Sequence, residues 1–99
     1  MDEDSTTYLV IFHDRAQRQF FQFYRAFQQS IQTLDRQGCE NKFQQTKGLY
    51  SYQLKQALEE IARELLLLNN EKHHSNLIRS LSYEVEKYMR EFEQKVRCL

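Results

Sequence analysis

The side chains of this chain that could do chemistry are His13, His73, His74, Cys39 and Cys98, together with carboxylates gathered in its second half. Adjacent histidines on a helix point about 100° apart, so a pair such as His73 and His74 rarely shares a metal. His13 stands beside Asp14, and if the first and third helices run antiparallel the start of the third need not lie near it. His74 falls on an apolar stripe, where it reads as a hydrogen-bonded residue near a helix start or a pH-sensitive element at an interface. A thiol nucleophile needs a base in reach, and neither Cys39 nor Cys98 has a local histidine to activate it. Glu59, Glu60 and Glu64, like Glu84, Glu86, Glu91 and Glu93, alternate with Lys55, Arg63, Lys87 and Arg90. That is ordinary intrahelical ion-pair spacing, which marks solvated faces rather than an acid–base pair. The chain holds no Gly-rich phosphate loop, no Gly-x-Ser-x-Gly elbow, no His-Glu-x-x-His and no Cys-x-x-Cys. The expectation is a protein that is not an enzyme, with no catalytic residue, metal ligand or cofactor.

Composition narrows the partners. Lys+Arg and Asp+Glu number 14 each, so the net charge is zero with neutral histidines. A strongly basic nucleic-acid binder, an acidic tail and a polybasic membrane anchor are disfavoured. The longest apolar runs, residues 8–12 and 65–68, fall far short of the roughly 20 residues a membrane helix needs. Met1-Asp2-Glu3-Asp4 is acidic where a secretory signal would be basic. Two cysteines make neither a disulfide framework nor a four-ligand zinc site, so free thiols in the cytoplasm are expected.

The elements that must carry these side chains are helices. There is no proline, and the two glycines, Gly38 and Gly48, bracket the one obvious break. Gly38 follows Arg36 and Gln37 as a C-cap glycine would, and Asn69-Asn70 suggests a second, softer break. The chain reads as a single helical domain over 1–99: a three-helix antiparallel bundle, all-α. Two long helices cover about 7–37 and 71–97, and a shorter one about 49–68. Residues 1–6 are expected to be a disordered N-terminus and 38–48 a loop. In the first helix Leu9, Phe12, Ala16, Phe20, Phe23, Tyr24, Phe27, Ile31 and Leu34 share one face, with Thr6 or Thr7 as N-cap. Residues 8–12, β-branched and aromatic, could alone be a strand, but no second strand exists to pair with them. Tyr50, Leu54, Ala57, Leu58, Ile61, Leu65 and Leu68 line the second helix. His74, Ile78, Leu81, Val85, Tyr88, Phe92, Val96 and Leu99 form nearly a heptad seam, like that of a coiled coil, on the third.

Packing three such stripes leaves apolar residues over. Phe21 and Tyr24 fall off the centre of the first stripe, and Leu66 and Leu67 turn away from the second. An all-α chain with surplus apolar surface usually finds a partner, and a twofold homodimer is the commonest. The leading expectation is a non-enzymatic protein–protein interaction or regulatory module, a homodimer, with Phe21, Tyr24, Leu66 and Leu67 at the interface. The alternative is a nucleic-acid-binding regulatory protein using its arginine faces. Arg15, Arg18 and Arg25 lie opposite the first stripe, and Arg79 and Arg90 on the outer face of the third helix. Phe23-Tyr24-Arg25 partly resembles the Leu-Tyr-Arg motif of small helical mitochondrial assembly factors. Its first residue differs and the chain lacks that family's basic character, so no family is assigned.

Overall fold

A computed structural model of the protein describes residues 3–67 and 71–97, and within them all side chains but those of residues 3–5, 66 and 71–74. Three helices succeed one another: α1 (Glu3–Ser30), α2 (Arg36–Leu67) and α3 (Glu71–Arg97). A single 3-10 turn, Ile31–Thr33, joins the first two. All three pack against one another in a bundle of 51 × 17 × 16 Å, with no strand among the described residues. Residues 8–12 are helical, so the strand alternative falls.

Aromatic pairings give the directions. Ala16 meets Tyr50 and Phe27 meets Phe43, so α1 and α2 are antiparallel. Tyr50 meets Phe92 and Phe43 meets Arg97, so α2 and α3 are antiparallel too. The first and third helices therefore run parallel, with His13 beside Tyr88 and Phe20 beside Phe92.

Bounds of the third helix agree with expectation, and those of the first two do not. The first helix ends at Ser30 rather than near residue 37, and Leu34 is exposed instead of buried on its stripe. Two hydroxyls bond back to the chain at this end. Ser30 Oγ donates to the Ala26 carbonyl at 2.8 Å and Thr33 Oγ1 to the Ser30 carbonyl at 3.5 Å. Such local bonds offer the backbone an alternative to continuing the helix. Leu34 is extended, and Asp35 then caps α2: its Oδ1 accepts the Gly38 N–H at 2.7 Å. Gly38 is thus inside the first turn of α2, not a C-cap. A β-carbon there would lie 3.0 Å from Asp35 Oδ1 and 3.2 Å from Leu34 Cβ, so glycine leaves room for the tight connection.

The expected loop 38–48 is helix, and α2 at 32 residues is the longest helix rather than the short one. Phe43 and Thr46 are buried and extend the stripe of Tyr50, Leu54, Ala57, Ile61 and Leu65 backwards in steps of three and four. Burying one aromatic side chain stabilises by about 1.5–3 kcal/mol. A mid-helix glycine costs only about 1 kcal/mol. Burial wins at Gly48, and the helix runs through it. At the other end of the chain, Glu3 to Thr6 belong to α1, so the expected disordered N-terminus and the Thr6 or Thr7 cap are not found. Met1, Asp2, Leu68, Asn69, Asn70, Cys98 and Leu99 lie outside the described residues.

Gly48 offers a clean check. It is exposed within α2, and an added β-carbon would meet nothing within 4 Å. Gly48→Ala should raise the unfolding free energy by about 0.5–1 kcal/mol in urea titrations. A destabilised variant would mean that this stretch is not continuous helix.

Candidate functional site

The polar cluster with the most chemical character joins α1 to α3. His13 Nδ1 lies 2.6 Å from the Tyr88 hydroxyl, and its Nε2 lies 3.8 Å from Glu84 Oε2. Glu84 and Tyr88 are four residues apart on α3, so one helical turn presents both to the imidazole. With the proton on Nε2, Tyr88 donates to Nδ1 and the Nε2–H faces the carboxylate, whose Oε2 is buried and has no hydrogen-bond partner. The order hydroxyl, imidazole, carboxylate is that of an activated nucleophile. The burial of Tyr88 works against that role. Tyr88 is 8% exposed, and burial, followed by the charges of Glu84 and Glu91, pushes its phenol up. The cluster is a strut between parallel helices. His13 thus meets the third helix at Glu84 and Tyr88, well along it from its start at Glu71, and α1 and α3 run parallel rather than antiparallel. The His73 and His74 side chains lie outside the described residues. Among the described residues no three His, Cys, Asp or Glu side chains gather as a metal site requires.

The remaining polar groups stitch the helix seams. Arg15 pairs with Glu60 across α1 and α2, and its hydrogen bond and charge hold the Glu60 carboxyl below its usual range. Gln19 Nε2 donates to Gln53 Oε1 at 3.3 Å on the same seam. Between α2 and α3, Glu93 accepts from Arg97 at 3.2 Å and pairs with Lys47 at 3.6 Å, and both cations lie over the Phe43 ring. Arg97 and then Lys47 hold the Glu93 carboxyl low. Of the arginines considered for phosphate binding, Arg15 is thereby spent in a seam and Arg18 is paired with Asp14 at 2.8 Å. Arg25, Arg79 and Arg90 are exposed on two different helices. They do not form one stripe.

Apolar surface is more informative. Phe21 is 69% exposed and Leu67 85%. The Leu66 side chain lies outside the described residues. Tyr24 is half-buried against the core, its ring stacked on Phe20 at 6.2 Å. Phe20 in turn meets Phe21 edge-on at 6.0 Å and Phe92 at 5.5 Å. An aromatic chain therefore leads from the centre of the bundle out to Phe21. Val10, Tyr52 and Tyr83 are also exposed, on α1, α2 and α3. The described residues enclose a cavity of about 100 Å³ between α1 and α2 beside Phe12 and Ile61, and an open groove of about 380 Å³ beside Gly48 and Met89. No known family model, curated protein or solved structure gives a significant match to this chain.

Burial of phenols makes a pH prediction. Tyr50 is pushed well up by burial, then by Tyr88 and Glu91, and Tyr88 is pushed up as well. The folded state thus holds these protons more tightly than the unfolded chain, where tyrosines ionise near about pH 10. Their contribution to stability is complete below that pH and is lost as pH rises toward the raised folded-state values. Unfolding free energy should be level from about pH 7 to 9 and fall above about pH 10. Tyr50→Phe should shrink that fall; an equally steep fall in the variant would acquit the phenol.

Proposed function

We propose that this chain is a non-enzymatic helical interaction module that works as a homodimer in the cytoplasm. The observation that carries the reading is Phe21, a phenylalanine exposed at 69% whose ring meets Phe20 edge-on. An aromatic side chain loses little freedom when a partner covers it. Rigid aromatic residues in this position are the usual hot spots of protein interfaces. Covering a side chain of this size is worth about 1.5–3 kcal/mol. The half-buried Tyr24, stacked on Phe20, adds apolar surface beside it. A second copy is the simplest partner, because one twofold axis doubles every favourable contact. The cytoplasmic assignment rests on the free thiol of Cys39 and the sparse use of cysteine.

Sedimentation equilibrium tests the reading. The chain should be largely dimeric at concentrations of about 10–100 μM, an association of ordinary strength for one hot-spot cluster. A helical protein that stays monomeric throughout that range would defeat it. So would a nanomolar, steeply salt-dependent complex with nucleic acid, which would promote the arginine faces instead.

A further inference from the structure

The outer face of α1 carries its charges at separate heights on either side of Phe21. Val10, Asp14, Gln17, Phe21, Arg25 and Gln28 all lie within about 60° of the direction opposite Phe12 and Ala16, which face the core. All six are exposed. Asp14, paired with the exposed Arg18, stands toward the N-terminal end of this stripe and Arg25 toward the C-terminal end, with Phe21 between. Among the described residues Asp14 is tied only to Arg18, in an exposed pair that solvent weakens. Among the described residues Arg25 makes no ion pair. On α3, by contrast, Arg79, Glu86, Lys87, Arg90 and Glu91 mix signs along the outer side, and on α2 the exposed Tyr52 is engaged by Gln56.

A face with opposite charges at its two ends is complementary to itself only when turned round. Two α1 helices side by side and parallel would set Asp14 against Asp14 and Arg25 against Arg25. Antiparallel, with a twofold axis at the height of Gln19 and Phe20, Asp14 of each copy falls level with Arg25 of the other. The same register sets Arg18 opposite Phe21 of the second copy, where a guanidinium can lie over the ring. It also brings the two Phe21 side chains within about 4.5 Å of each other along the axis.

We propose that the outer face of α1 is the docking surface for a second copy of this chain, with the two helices antiparallel across that axis. Reciprocal Asp14–Arg25 pairs set the register, and the Phe21 rings form the apolar centre. The proposal rests on the homodimer reading above and names the surface through which it forms.

Charge exchange tests it on the full chain, by sedimentation equilibrium with circular dichroism to verify that each variant stays helical. Asp14→Arg and Arg25→Asp should each weaken self-association at least about tenfold, because each sets two pairs of like charges together. The double variant should recover to within about threefold of the parent, since the pairs re-form with signs reversed. Phe21→Ser should abolish the dimer, and raising salt from about 50 to 500 mM should weaken the parent and leave Phe21 its main contact. Leu67→Glu should have no effect. A dimer indifferent to the single charge variants, or one dissociated by Leu67→Glu instead, would keep the homodimer and overturn this surface. A double variant as weak as the singles would overturn the pairing. A monomeric parent would overturn both readings together.

Discussion

Everything in this bundle is arranged around the ring and hydroxyl of Tyr50. It is fully buried, and it is where the three helices meet. Its ring lies 6.0 Å from Phe20 and 5.7 Å from Phe23 on α1, and 5.2 Å from Phe92 on α3. Its hydroxyl donates to the Ala16 carbonyl at 3.1 Å, so a polar group that burial would otherwise penalise is satisfied. Because the residue belongs to α2, it fixes the height of α2 against both neighbours at once. The Arg15–Glu60 and Gln19–Gln53 contacts follow on one side of it, and Lys47–Glu93 on the other. With α2 antiparallel to both, α1 and α3 have to be parallel, and that alone brings His13 to Glu84 and Tyr88.

How much of this could be read beforehand depended on whether a local signal agreed with the packing. On α3 it did. Leu81, Val85, Tyr88, Phe92 and Val96 repeat at regular steps, no residue competes, and the helix has the bounds the stripe implies. On α2 the glycines misled. Gly38 was legible as a helix-end residue only if Asp35 was overlooked: an acid three residues before a glycine is as good an N-cap signal as Gly38 was a C-cap signal. The stripe that runs through Gly48, from Phe43 by way of Thr46 to Tyr50, was the stronger evidence, and it argues for helix across the whole segment. On α1 the stripe continued in sequence to Leu34, but the helix gives way to a 3-10 turn at Ile31 and an extended Leu34. The His13 cluster was not legible at all. It depends on which helices are parallel, which no local pattern encodes.

Phe21 was legible, and for a simple reason. It stands about 100° from Phe20, so a helix that buries Phe20 turns Phe21 outward whatever the neighbours do. Phe20 is packed against the core and Phe21 is not. The functional account stands on that distinction. Core residues of this chain hold one another, while Phe21 is fastened to them by a single aromatic contact and spends its other surface on solvent. Tyr24, its companion in expectation, is a borderline case, since its ring already stacks within the chain.

The most direct measurement is the stability of the isolated protomer carrying Phe21→Glu, followed by urea unfolding at a concentration too low for self-association. If the core is complete without Phe21, the unfolding free energy should stay within about 0.5 kcal/mol of the parent, as for other exposed positions. A loss of about 2 kcal/mol or more would mean that Phe21 belongs to the fold of one chain. The residue on which the interaction reading rests would then be a core residue, and the reading would fail.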